Sequence, residues 1–313
     1  MNDPRKHHFT PSFYLDRWTA ADGLVCEFSR PYGEKVRPQR RHPNATGFVH
    51  DLYKIEGVSG AEAQQFETEF FKPLDTLASR ALSALLAGDS QALADHALRD
   101  GWARFLLSLM FRTPEAIHTL RDHMDDVWVA SSGALDARYK EERSPRDPES
   151  LADYYEERDP GARGKLPMRL AKDMIDLESA RFSIRHLTWR CIDLERSKFD
   201  LLASDRPIDR TGLGDTSAFI ALPVGPKALF LATRTDDIAE MIVRADATTV
   251  VSQMNKTVVS QARRYVWGRD DRQLGFVGRY MSRVPDQVLI TDAQRRQALE
   301  AAGGGTFNLL DED

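Results

Sequence analysis

The chain has 313 residues, 42% of them hydrophobic and 29% charged, with a net charge of −5. That balance supports a full core without disulfide or metal staples, and the acidic excess excludes a general basic coat for nucleic acid, leaving only a local patch to meet phosphates. Two cysteines, Cys26 and Cys191, are too few for a disulfide framework or a thiolate zinc site, and the densest apolar run, residues 105–111, is too short to span a bilayer.

Absence of a leader-like segment in residues 1–20, together with the sparse cysteines, points to a reducing, cytoplasmic setting. Along the chain, Thr10 and Pro11 read as an N-cap and a first helical residue, opening a short helix over 12–18. Asp22 and Gly23 mark a turn, and 24–28 reads as a strand. The basic, apolar-poor stretch 31–43 reads as a loop, and 48–55 as a second strand. Helical spacing of Phe66, Phe70, Leu74, Leu77, Ala81 and Leu85 predicts a helix over 61–86 that Pro73 kinks or splits. Gly88, Asp89 and Ser90 open another that ends near Arg112. Thr113, Pro114 and Glu115 open the next, which runs past Trp128 towards Arg143. Residues 141–165, charged and interrupted by Pro145, Pro148 and Pro160, read as a mobile connection with one short helix at 151–157.

In the last third, 182–194 alternates and reads largely as strand. The apolar run 199–203 enters Ser204-Asp205-Arg206-Pro207. Strands are expected at 218–222 and 228–232, helices at 236–244 and 247–267, and a frayed, glycine-rich tail after about 303. The pattern predicts one helix-rich α+β domain over 1–313. Its small, mostly antiparallel sheet would be built from N- and C-terminal parts, with His8 and the Ser204-Asp205 turn meeting there.

Four segments line up in order: His7-His8-Phe9-Thr10-Pro11-Ser12-Phe13-Tyr14-Leu15, then Leu109-Met110-Phe111-Arg112-Thr113-Pro114, then Leu201 to Pro207 with Ala221 to Pro226, and last Asn255 with Ala262 to Val266. Together they resemble the bacterial family named domain of unknown function 4238, from about residue 7 to about residue 268. Its members open with His-x-x-Pro-x-x-Tyr-Leu and later show a Ser-Asp-x-Pro turn and a strand entering a Pro-Leu-Ser-Pro-like turn. Here the third residue of the Ser-Asp-x-Pro turn is Arg206 where Asn is frequent, and the later turn reads Leu-Pro-Val-Gly-Pro. The resemblance implies an architecture and no activity.

Three residues could carry chemistry. His8, beside a helix N-terminus, suits a general base or metal ligand, since the positive helix end favours a neutral imidazole; the bland reading is a histidine capping or packing on that helix. Asp205, at a strand end, could orient a histidine or hold a metal at a cleft mouth; the bland reading is a turn. Arg112, at the end of an apolar helix, could clamp a phosphate; the bland reading is a helix cap or a salt bridge to Asp205 or Glu115.

Assembled, they describe a phosphodiester hydrolase acting on nucleic acid, with His8 as base, Arg112 as charge stabiliser and Asp205 as orienter or metal ligand. A divalent metal ion is its candidate cofactor, with His8, Asp51 and Asp205 as one convergent ligand set. Arg112 and His118 also match a spacing of an arginine and a histidine with four to six residues between them, similar to that of HEPN-type ribonucleases, but Arg37 with His42 and Arg181 with His186 match it equally. Arg263, Arg264 and Arg269, interleaved with Tyr265 and Trp267, form a candidate nucleic-acid surface that the basic stretch 37–42 would extend. The bland reading is a solvated helix whose aromatics face the core. The alternative function is a non-catalytic binding or regulatory protein in which the same polar residues form a structural network. Full burial of His8, Arg112 and Asp205 with every hydrogen bond paired inside favours that alternative; a shifted histidine pKa and an open cleft around His8 favour the hydrolase.

Overall fold

The computed structural model describes residues 5–285 and 288–303; the tail expected to fray after about 303 lies outside the described residues. The chain opens with strand β1 (Lys6–His8) and the single-turn helix α1 (Ser12–Leu15), continued as a 3₁₀ turn, Asp16–Trp18. Pro11 is itself the N-cap, in extended backbone, and Thr10 caps nothing; its amide donates to the Gly47 carbonyl at 3.1 Å. Strands β2 (Val25–Ser29), β3 (Arg37–Arg41) and β4 (Phe48–His50) follow. The stretch expected to be a loop therefore contains β3. Its side chains are mostly exposed because it is an edge strand, and its charge and Pro38 suit an edge better than a centre.

The middle is helical. After α2 (Gly60–Ala63), Phe66–Phe71 forms a π-helical turn that runs into α3 (Lys72–Ala87). Pro73 falls where the π-helical turn gives way to α3, so its missing amide hydrogen and the change of winding meet at one junction inside a continuous helix. Helices α4 (Ser90–Ala94), α5 (His96–Phe111) and α6 (Pro114–Glu142) come next. The Asp95 carboxylate caps α5 by accepting from the Ala97 and Leu98 amides, and Thr113 Oγ1 caps α6. The proline-rich stretch after α6 is not mainly loop: it holds α7 (Leu151–Arg158) and the start of α8 (Ala162–Ile175). Its glycines allow a close approach, since a Cβ on Gly164 would stand 2.2 Å from the Glu56 carbonyl oxygen.

The last third begins with α9 (Glu178–Arg185), so the alternation over 182–194 is strand only in its second half, β5 (Thr188–Asp193). Then come β6 (Ala203–Ser204), β7 (Asp209–Arg210), β8 (Phe219–Gly225), β9 (Ala228–Thr233), α10 (Asp236–Arg244) and α11 (Ala247–Gln261). Strand β10 (Tyr265–Gly268) and helices α12 (Leu274–Tyr280) and α13 (Asp292–Gly303) close the described chain. The helix expected to reach Trp267 stops at Gln261 for a traceable reason. The Asp205 carboxylate takes the Arg263 and Arg264 amides, while the Val259 and Ser260 carbonyls accept from the Ser282 and Val284 amides instead.

Helix makes up 54% of the described residues and strand 15%, in small antiparallel sheets, so the fold is α+β. One four-stranded sheet, ordered β3-β2-β10-β6, joins the two ends of the chain as expected. A second is ordered β5-β9-β8-β7, and β1 pairs only with β4. His8 therefore lies on a separate two-stranded ribbon and not on the sheet that carries Ser204. The N-terminal turn is bolted to the C-terminal part by Tyr14, whose hydroxyl donates to the Pro223 carbonyl at 2.7 Å, and by Trp18, whose indole donates to the Leu201 carbonyl at 2.8 Å. One core gathers Trp18, Trp102, Phe105 and Phe230 between α3, α5 and the β8–β9 pair. A second gathers Phe28, Leu202, Leu231, Val258 and Val266 under α11. No helix among the described residues is long and apolar enough to cross a membrane.

Candidate functional site

The two histidines of β1 point to opposite faces, as neighbours in a strand must. His7 is fully buried and stacks on Tyr53 with ring centroids 5.2 Å apart. Its Nδ1 accepts from the Tyr53 amide at 2.7 Å, so Nε2 carries the proton and donates to Gln64 Oε1 at 2.5 Å. Gln64 in turn donates to Asp51, which holds Arg5 in a bidentate pair. Asp51 is thereby committed to this chain and is not brought to Asp205. His8 packs its ring against Phe48, 5.6 Å away. Burial, with Lys6 and Arg112 close by, lowers its pKa to about 4, so it is neutral near pH 7. Neutrality was expected, but its cause is burial and two cations, not the end of α1. His8 Nε2 is buried and has no hydrogen-bond partner among the described residues.

Arg112 forms the C-cap of α5, and it has no exposed surface. Its Nη1 and Nη2 donate to the two Asp75 oxygens at 2.7 and 3.1 Å, and Nη2 also donates to the His8 carbonyl at 2.8 Å. The guanidinium lies over the Phe71 ring at 4.4 Å, and the Arg112 carbonyl accepts from the Tyr53 hydroxyl at 2.7 Å. Its ion-pair partner is thus Asp75, not Asp205 or Glu115. Burial alone would weaken its hold on the proton, but Asp75, Tyr53 and Glu67 outweigh that and keep it firmly charged. Glu67, buried in the π-helical turn, is pushed up to about 7 by desolvation despite Arg112 nearby. This closed knot joins β1, the π-helical turn, α3 and α5. Only the Arg112 Nε, also buried, has no hydrogen-bond partner among the described residues.

Asp205 is also buried, and both its oxygens are used: Oδ1 accepts from the Arg263 amide at 2.9 Å and Oδ2 from the Arg264 amide at 2.6 Å. Desolvation raises its pKa to about 6 against those two bonds. His8 is not among its partners, so the expected histidine–aspartate pair does not form. What Asp205 positions is the turn that follows it. Arg206, Pro207 and Ile208 form one wall of a cavity of about 270 Å³, opposite Leu109, Met110, Phe111 and Thr113. Gln261 Nε2 fixes that wall by donating to the Arg206 and Ile208 carbonyls at 2.5 and 2.8 Å. Glu115 on the rim pairs with Arg264 at 2.7 Å and with Arg206 at 3.6 Å.

The two facing walls are the segments that carried the family resemblance. A family model described as "Protein of unknown function (DUF4238)" matches residues 6–272. The chain belongs to that family. No curated protein and no solved structure matches it.

In this DUF4238 chain the three arginines of the expected nucleic-acid surface do not stand free. Arg264 is paired with Glu115, Arg263 Nη2 donates to the Val284 carbonyl at 2.6 Å, and Arg269 lies 3.7 Å from Asp200. Tyr265 and Trp267 sit in a strand, and the Trp267 indole donates to Thr46 Oγ1 inside the core. Among the described residues no group of three or more His, Cys, Asp or Glu side chains is placed to hold a metal ion together. Asp75 and Glu67, the acids that answer Arg112, escaped the sequence reading although one signal was present. A buried arginine requires an acid somewhere, and each of these follows directly on an apolar position of the 61–86 stretch, Phe66 or Leu74. Met174 and Arg210, which also line the cavity, carried no such signal.

Proposed function

We propose that this protein is a non-catalytic binding or regulatory protein and that the Arg206–Ile208 groove is its binding site. The observation that carries the reading is the burial of Arg112 and Asp205. An arginine that clamps a substrate phosphate, or an aspartate that orients a base, must present atoms to the substrate. Arg112 instead spends its two terminal nitrogens on Asp75 and the His8 carbonyl, and Asp205 gives both oxygens to backbone amides. Open space with mixed polar and apolar walls lies beside the Arg206 turn, the kind of concavity that binds small ligands.

A second reading keeps one specific support. His8 is neutral near pH 7, and its Nε2, though buried, has no partner among the described residues, so it holds a spare proton acceptor for any substrate that reaches it. The purified protein and a His8→Ala variant are incubated with RNA, single-stranded DNA and duplex DNA, with Mg²⁺ or Mn²⁺ and with chelator. The binding reading expects no cleavage that depends on His8. Cleavage by the wild type that disappears in a folded His8→Ala variant would overturn it in favour of the hydrolase, and chelator sensitivity would then assign the metal.

A further inference from the structure

The cavity beside Arg206 continues into a second chamber of about 290 Å³, because Met110, Phe111, Met174, Ile208 and Arg210 line both. The inner chamber runs between α5, α8, α9 and the β7–β8 pair, over Leu106, Leu107, Ile184, Leu213 and Ile220. Arg210 alone brings charge to its lining. At the outer end one carboxylate, Glu115, is shared by two arginines, Arg264 at 2.7 Å and Arg206 at 3.6 Å. Arg210, on the short strand β7, makes one long hydrogen bond, to the Thr211 carbonyl at 3.4 Å, and no ion pair among the described residues. The groove therefore offers a mostly apolar chamber, open to solvent at Leu177, beside an arginine with no ion pair among the described residues, and together the chambers fall in the size range of small-ligand sites.

We infer that this groove binds a free amphiphile with an extended apolar tail and a single carboxylate head, the tail in the inner chamber and the head on Arg210. The tail gains by leaving water in proportion to the area it buries, and the guanidinium fork matches a carboxylate in two-point geometry. A neutral head would forgo the charge-assisted hydrogen bonds, and a cationic head would meet Arg210 with like charge. The inference rests on the binding reading above and names the ligand class for it.

The test is calorimetric titration of the full chain with dodecanoate, dodecanol and dodecylamine, each below its micelle-forming concentration. The wild type is expected to bind dodecanoate more tightly than dodecanol and to ignore dodecylamine. Arg210→Ala, at an exposed position, should weaken dodecanoate about tenfold and leave dodecanol unchanged. Met174→Trp, at a half-buried position, should block the groove and abolish uptake of both. Equal affinity for acid and alcohol, indifference to Arg210→Ala, or no uptake by the wild type would overturn the inference. So would co-sedimentation with phosphatidylcholine vesicles in place of uptake of the free acid. Failure here with no nucleic-acid cleavage leaves the binding reading standing, whereas His8-dependent cleavage removes that reading whatever the titration gives.

Discussion

Arg112 and Glu115 are three residues apart, and the short linker between α5 and α6 sends them into opposite kinds of surroundings. Arg112 turns inward to Asp75, Phe71 and the His8 carbonyl, and no solvent reaches it. Glu115 turns outward to the groove rim, where it shares Arg206 and Arg264 and stays partly exposed. The inner ion is paired through both terminal nitrogens, with only its Nε lacking a partner among the described residues, because an unpaired buried charge costs several kcal/mol. The outer ions exchange partners readily, since water screens them and either arginine can answer the carboxylate. Residue types that suit catalysis thus serve here as clamps where they are buried, and the freedom to meet a ligand lies with less conspicuous neighbours.

Breaking the inner side should cost most. Arg112→Met keeps the volume but strands the Asp75 carboxylate and the His8 carbonyl, and about 3–5 kcal/mol should be lost in urea unfolding. A loss below about 1 kcal/mol would mean that water already reaches the knot. Asp205→Ala comes next. It leaves the Arg263 and Arg264 amides without acceptors where helix α11 gives way to β10, for about 2–3 kcal/mol. Asp205→Asn keeps one amide acceptor and should recover part of that loss, which a purely electrostatic role for the carboxylate would not allow.

The contrast was only half legible in the sequence. Local signals gave the cap at Thr113 and the β8–β9 hairpin, because each depends on neighbours a few residues away or on strong alternation; a sheet joining the two chain ends was expected, but its strand β10 was not. The strand at Tyr265–Gly268 read as helix because the Arg263 and Arg264 amides just before it are taken by Asp205, about sixty residues earlier, and no local pattern carries that information. Burial of Arg112 was readable as a need for an acid, but not as Asp75, since the pairing is tertiary. The groove was invisible for the same reason: its walls come from α5, α6, α8 and the turn after β6, which only the fold brings together.

Titration offers a finer cut, because His8 and Glu67 flank the same knot with opposite signs. The His8 pKa is held down at about 4 in the fold against 6.5 when free, so its contribution is complete above pH 6.5 and is lost as pH falls towards 4. Glu67 is held up at about 7 against 4.5, so the fold keeps its proton more tightly and stability falls as pH rises from 4.5 through 7. Each effect is on the order of 3 kcal/mol, and they offset each other between pH 4.5 and 6.5. Asp205, held up at about 6, adds to the Glu67 slope. Melting curves against pH should therefore change shape in the variants relative to wild type. Glu67→Gln should gain relative stability as pH rises from 4.5 to 7, and His8→Ala should gain it as pH falls from 6.5 to 4. Parallel curves for wild type and both variants would show that neither group is shifted by the knot.

The smallest effect belongs to the rim. Arg264→Ala removes a part-exposed pair with Glu115 and should cost about 0–1 kcal/mol, since Glu115 still has Arg206 and the Arg264 amide still reaches Asp205. The same variant separates the two surfaces. If Arg264 and Arg269 track phosphates, binding of single-stranded DNA should weaken in Arg264→Ala, and its dependence on salt should flatten by about one released counterion. If these arginines serve Glu115 and Asp200, any residual DNA binding should keep the same salt slope in variant and wild type. The freed Glu115 would then lean more fully on Arg206 at the outer end of the groove. Uptake of dodecanoate should hardly change, because its head is met by Arg210.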